Sequence, residues 1–183
     1  MTSDPTVEPG PLARSSAVTV TLLAPVARFS LRARAGDLAA LSGALGLDLP
    51  QKIGDRAAAG AVEALCLGPD EWHILAPEAD AGRLAAAAAA VYDAAPHSLT
   101  DISDREVTVM VEGPAAAELL TIGCPRDIDR IAPGRGCRTV MDGVTVLLWR
   151  DGPERFRLDI WRSFAPHVIA LLRTGCVELA TCS

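Results

Sequence analysis

The chain has 183 residues and a formal net charge of −6, with 50% hydrophobic but only 4% aromatic residues. That length suits one domain or two halves and is ample for a real core. The acidic balance argues against a general nucleic-acid binder, the longest apolar run, Leu84–Tyr92, is too short to cross a bilayer, and no basic stretch leads into an apolar one near Met1, as a secretion signal requires.

The basic charge is nearly all arginine, with Lys52 the only lysine, a bias that GC-rich codon usage produces. Cys66, Cys124, Cys137, Cys176 and Cys182 contain no Cys-x-x-Cys pair, and His73, His97 and His167 are widely spaced. Structural zinc sites use short ligand spacings. Reduced thiols in a cytosolic protein are expected. Cys66 reads as a small core residue, and Cys176 and Cys182 as less buried.

In chain order, residues 1–16 carry Pro5, Pro9, Gly10 and Pro11 and read as a disordered or partner-bound tail. Extended structure follows through Val18, Val20, Leu22, Phe29 and Leu31. Asp37 is placed to cap a helix with Leu38, Leu41 and Leu45 on one face, and Gly46 to end it. Residues 50–60 read as a polar loop. Val62–Leu67 and Trp72–Ala76 flank a Gly-Pro turn and predict a hairpin. The alanine-rich stretch Asp80–Tyr92 predicts a helix, and His97–Ile102 a strand.

The pattern then restarts. Glu106–Val111 alternates strictly, and Gly113-Pro114 opens a helix with proline at its first position. Gly123–Gly136 reads as a long loop. Asp142-Gly143 between Arg138–Met141 and Val144–Trp149 is a strong type I′ hairpin signal. Phe156, Leu158 and Ile160 alternate against Arg157, Asp159 and Trp161. Ser163 is placed to cap a last helix carrying Phe164, Val168, Leu171 and Leu172. Leu67–Leu75 and Asp151–Asp159 share a Gly-Pro-acid turn, an aromatic and following aliphatics. The expected fold is therefore α+β: two tandem ferredoxin-like halves, each β-α-β-β-α-β, in one pseudo-symmetric unit. The halves are residues 17–103 and 104–183, with a hinge near Thr100–Arg105.

Catalytic signals are sparse. There is no Gly-x-Ser-x-Gly, no Gly-x-Gly-x-x-Gly and no phosphate-loop lysine. His167 lies four residues after Ser163, but capping explains that serine better than nucleophilic chemistry. Asp101/Asp104 and Asp127/Asp129 read as caps and solvated loops rather than cation ligands. Arg126, Arg130, Arg135 and Arg138 could hold an anion or a partner's carboxylates.

From Asp101 to Pro114 the sequence resembles the core segment of the glycine-cleavage T-protein superfamily, where an acid, an aliphatic and a serine precede a strand, Gly-Pro and a helix. More closely it resembles the gamma-subunit family of heterotetrameric sarcosine oxidases, through Leu67–Leu75, Asp101–Arg105, Gly123–Asp127, Val146–Arg150 and Arg162–Pro166. The match runs from about Arg14 to Leu172. The resemblance implies a cytoplasmic complex with alpha, beta and delta subunits and no nucleic-acid or membrane partner. It implies that the complex oxidises sarcosine to glycine, passes the one-carbon unit to tetrahydrofolate and releases hydrogen peroxide. FAD, FMN, NAD and tetrahydrofolate are implied to sit on the other subunits.

Two departures point the same way. The family of T-protein enzymes carries a carboxylate just after the hairpin glycine, whereas here Gly143–Leu148 holds none. The His-Met-Gly that follows the serine in many T-proteins is Asp104-Arg105-Glu106 here. No catalytic, cofactor-binding or metal residue is expected on this chain. Trp72, Trp161, Arg162 and Phe164, with Arg126 and Arg135, are the expected interface residues, because aromatic and arginine anchors dominate protein contacts. The alternatives are a stand-alone folate-binding or aminomethyltransferase-like protein of the same fold, and a regulatory module that binds small anions through the Arg126–Arg138 loop.

Overall fold

Regular structure begins inside the stretch expected to be a tail. In the computed structural model, which describes residues 8–181, β1 (Gly10–Arg14) pairs antiparallel with β2 (Thr19–Leu22). The turn between them is held by Ser15, whose hydroxyl accepts from the backbone N–H groups of Ala17 and Val18 at 3.2 and 3.1 Å. Val18, Val20 and Leu22 are buried. Proline misled the sequence reading: Pro11 lies on an outermost strand, where a missing N–H is tolerated. The part of the expected tail before residue 8 lies outside the described residues.

The elements of the first half are β3 (Ala27–Ala33), α1 (Leu38–Leu45), β4 (Arg56–Ala59), β5 (Val62–Gly68), β6 (Glu71–Ala76), α2 (Ala81–Ala90) and β7 (His97–Asp101). They form a five-stranded sheet in the order β4-β5-β6-β3-β7, with every neighbouring pair antiparallel. Without β4, this is the split βαβ arrangement. The polar loop expected at 50–60 in fact contributes β4 as an outer strand. Helix α1 buries Leu38, Leu41 and Leu45 and ends at Gly46, whose φ of 68° is open to glycine at no steric cost. Asp37 stands at its N-cap, but its side chain makes no capping bond there. The core gathers Phe29, Leu31, Leu41, Trp72, Ile74 and Leu84.

The second half supplies β8 (Glu106–Glu112), α3 (Ala116–Thr121), β9 (Arg135–Met141), β10 (Val144–Gly152), β11 (Arg155–Trp161) and α4 (Ala165–Thr181). Its sheet runs β1-β2-β8-β11-β10-β9. The order matches that of the first half, with one substitution. No strand follows α4 among the described residues, and the place that β7 holds beside β3 is taken beside β8 by β2. Val20 stands opposite Val111 and Leu22 opposite Val109. The two ferredoxin-like halves are present, but the N-terminus completes the second.

The compact units follow that sheet pairing. One comprises the chain through Pro25, Arg105–Pro133 and the chain from Arg138; the other comprises Val26–Asp104 and Gly134–Cys137. The first half therefore starts at Val26 and not at residue 17, because β2 finds its hydrogen-bond partner in β8.

The repeated turn does the same work twice. In β5–β6 the register shifts between Cys66 and Gly68, and in β10–β11 between Arg150 and Gly152. Such a bulge re-aims the strand that carries it. The aromatic after each turn, Trp72 or Phe156, lies in a core. The Asp142-Gly143 turn has φ of 48° and 80°, as a type I′ hairpin requires.

Two local expectations shift. Pro114 occupies the turn before α3 and not its first residue, and Ser163 lies within the Arg162–Phe164 turn before α4. Helix α4 is longer than its apolar pattern suggested and buries Val168, Ile169, Leu172 and Cys176. A Cβ on Gly175 would stand 2.6 Å from Leu119 Cδ1, so glycine there lets α4 approach α3 closely.

Gly113 has the strictest requirement. Its φ is 128°, and an added Cβ would stand 2.5 Å from the Ala17 carbonyl oxygen. Gly113→Ala is expected to destabilise the protein by about 2–4 kcal/mol, from backbone strain and displacement of the Ala17 segment. Thermal and urea denaturation measure it.

Candidate functional site

The side chains that remain exposed despite large apolar area define the candidate surface. β11 ends at Trp161, the Arg162–Phe164 turn follows, and α4 starts at Ala165. The Phe164 N–H donates to the Trp161 carbonyl at 2.8 Å, and the Arg162 N–H to the Arg105 carbonyl at 2.8 Å. These bonds fix the turn against the start of β8. Trp161 is 43% exposed and Phe164 46%, with ring centroids 6.5 Å apart. The Arg105 guanidinium lies 5.3 Å from the Trp161 ring centroid, a cation–π geometry. Arg105 also pairs with Glu106 at 2.7 Å. Rigid aromatic and arginine side chains held this way suit protein contact better than chemistry.

The structure brings Trp161, Arg162 and Phe164 together, and Arg162 is exposed. It adds Arg105, which the sequence reading missed. The cross-strand register of Trp161 opposite Glu106 supplies the signal that could have found it. Trp72 is corrected: it is 1% exposed, and its indole N–H donates to the Pro50 carbonyl at 2.6 Å, so it is a core residue of the Val26–Asp104 unit.

The loop arginines do not act as one group. Arg126 is exposed. Arg130 pairs with Asp127 at 3.1 Å. Arg135 is engaged by the Asp55 carboxylate and by the Ile53 carbonyl at 2.9 Å. Asp101 accepts from the backbone and hydroxyl of Ser103 at 2.9 and 2.6 Å, a turn role. His167 is exposed and meets Asp142 at 2.9 Å, and His73 is buried on β6.

Two polar arrangements escaped the sequence. Asp159 was expected on an outward face, yet it is 1% exposed. Its carboxylate accepts from the Thr108 hydroxyl at 2.5 Å and from the Trp149 indole N–H at 2.6 Å. Thr108 and Trp149 lie on the strands flanking β11, so sheet pairing assembles the group. The second is Arg150, which closes the Val146–Arg150 motif. Its guanidinium donates to the Ile128 and Ile131 carbonyls at 3.0 and 2.8 Å and to that of Pro153 at 3.0 Å. One side chain thus ties the long loop after α3 to the β10–β11 turn.

The cysteines Cys66, Cys124, Cys137 and Cys176 are free thiols. Cys66 is a core residue, as expected, whereas Cys176 is buried against expectation; Cys182 lies outside the described residues. Burial pushes the Cys66 thiol up, with a smaller push from Asp55, against a lowering bond to Gly68. The folded chain therefore keeps this proton after the unfolded chain releases it. As pH rises above the ordinary thiol range of about 8.5, stability is expected to fall. Urea denaturation at stepped alkaline pH, with Cys66→Ala flattening the slope, checks this.

Strand β10 begins with an apolar run broken only by the exposed Thr145. Val144, Val146, Leu147 and Leu148 are buried, and Gly143–Leu148 carries no acid. No helix among the described residues is long and apolar enough to cross a membrane.

Comparison with known proteins fixes first the class and then the family. No family model matches the sequence. The fold is that of the T-proteins: the aminomethyltransferase T of the glycine cleavage system from Bartonella henselae aligns with a TM-score of 0.68 over 88% of this chain and 46% of that one, at 14% identity. The chain belongs to the sarcosine oxidase gamma-subunit family. It is 35% identical over 151 residues to the gamma subunit from Corynebacterium sp. (strain P-1), covering 80% of this chain and 72% of that one. A chain of the heterotetrameric sarcosine oxidase from Corynebacterium sp. U-96, in complex with pyrrole 2-carboxylate, aligns with a TM-score of 0.81 at 32% identity, over 92% of this chain and 88% of that one.

Proposed function

We propose that this chain is the non-catalytic gamma subunit of a heterotetrameric sarcosine oxidase, assembled with alpha, beta and delta subunits in the cytoplasm. The complex oxidatively demethylates sarcosine to glycine, transfers the one-carbon unit to tetrahydrofolate and passes two electrons to oxygen, giving hydrogen peroxide. FAD, FMN, NAD and tetrahydrofolate belong to the partner subunits in this reading. What supports the non-catalytic reading is that Val144, Val146, Leu147 and Leu148 are buried and Gly143–Leu148 carries no acid, where the resemblance to T-proteins implies a carboxylate. A fold can persist after its site is lost.

Co-expression with candidate large subunits tests the assembly. The chain is expected to co-purify with them, and a soluble chain that never does would refute the role. Calorimetry with the isolated chain tests the alternative of the same fold. No heat is expected on adding tetrahydrofolate, whereas saturable binding would revive the transferase reading.

A further inference from the structure

We propose that the rim formed by Trp161, Phe164 and Arg105 is the docking site for another subunit, and that the subunit presents a carboxylate beside an apolar side chain. This rests on the reading of the chain as a subunit of an oxidase complex and names the chemistry of the contact.

Arg105 Nε and Nη2 both donate to the same Glu106 oxygen, at 3.1 and 2.7 Å. That carboxylate is withdrawn from solvent, with a side chain 3% exposed, while the arginine side chain is 42% exposed. Nη1 makes no hydrogen bond among the described residues. The Nε–Nη2 edge of the guanidinium is committed to Glu106, while Nη1 keeps its donors on a side chain that is 42% exposed. A planar fork in that state recognises a second carboxylate well.

The rings supply the apolar half. Trp161 lies under the guanidinium, and the Phe164 ring lies beside that of Trp161. The backbone bonds from Phe164 to Trp161 and from Arg162 to Arg105 hold all three residues in place. Little backbone freedom in the turn remains to be lost on docking, which favours affinity. An incoming aliphatic or aromatic group would cover the rings, and its acidic neighbour would meet Nη1.

Charge decides between a different chain and a second copy. A two-fold contact of this rim with itself brings each patch against its own equivalent. Each Arg105 would then face a second Arg105, with Glu106 already committed to its own arginine. An acidic patch on a different subunit has no such conflict.

The test uses the complex reconstituted from full-length subunits, with binding titrated at low and high salt. Trp161→Ala combined with Phe164→Ala is expected to weaken assembly on the order of 100-fold. The melting temperature of the free chain should fall by no more than a few degrees, since both side chains are about half exposed and outside the core. Arg105→Lys keeps the charge toward Glu106 and loses the fork, and is expected to weaken assembly by about 10-fold with a shallower salt dependence. Wild-type assembly with an equally tight double aromatic variant would overturn the docking site while leaving the subunit reading intact. A wild-type chain that does not assemble would overturn both. A wild-type homodimer dissolved by the aromatic changes would overturn the choice of partner.

Discussion

A chain that begins at Val26 is expected to lose its six-stranded sheet, although the deletion lies far in sequence from most of that sheet. Strand β2 lies between β1 and β8, and its loss removes the pairing of Thr19–Leu22 with Glu112–Val109. It also removes the buried side chains of Val18, Val20 and Leu22. Each contributes about 1.5–3 kcal/mol of burial, which together rivals the 5–15 kcal/mol that typically holds a domain. Strand β8 would become an unpaired edge with buried valines, an invitation to aggregation. Hydrogen exchange measures the effect by segment. The amides of β8, β10 and β11 are expected to lose protection, and retained protection there would show that the N-terminal strands are dispensable. Val20→Asp should give the same pattern in the full-length chain.

Asp159→Ala is expected to cost about 2–5 kcal/mol, because it strands two buried donors at about 1–3 kcal/mol each. The Thr108 hydroxyl and the Trp149 indole N–H both end on this carboxylate. Trp149→Phe removes one donor and keeps the ring, at an expected cost of about 1.5–3 kcal/mol. The double variant should then cost less than the two single changes added together, since the carboxylate and indole share one bond. Chemical denaturation of the three proteins gives the coupling. Strict additivity would show that the indole bond contributes nothing.

These two regions also mark where the sequence stopped being legible. Local chemistry was readable. The two Gly-Pro-acid turns, the Asp142-Gly143 hairpin and the helix end at Gly46 each depend on a few adjacent residues. So did the repeated element order, and from it the two ferredoxin-like halves. What the sequence did not disclose was pairing at long range. Nothing in Val18–Leu22 identifies β8 as its neighbour, and the prolines around it suggested a tail. Asp159 alternates with apolar residues and so reads as outward. Only the strands beside it reveal the two donors that make its burial tolerable. Similarly, the alternation in Glu106–Val111 suggested one exposed face, yet Glu106, Thr108 and Met110 are buried as well.

The candidate surface was partly legible for the same reason. Trp161, Arg162 and Phe164 are close in sequence and stayed close in space. Arg105 joined them through strand register. Trp72 was misplaced because the bulge before its turn directs the following aromatic inward. Its counterpart Phe156 follows the same path.

The swapped order of strands has a consequence for synthesis. Strands β1 and β2 leave the ribosome first, but Val20 finds its partner only when Val111 has been made. At ordinary synthesis rates that is a wait on the order of 5–20 s. Meanwhile β3 through β7 emerge as a full set of strands for the other sheet. The Val26–Asp104 unit can therefore form while the N-terminal hairpin is still unpaired, with Val18, Val20 and Leu22 open to other chains. Non-local strand pairing of this kind folds slowly. For this chain, vulnerability during production should be greatest in its first two dozen residues.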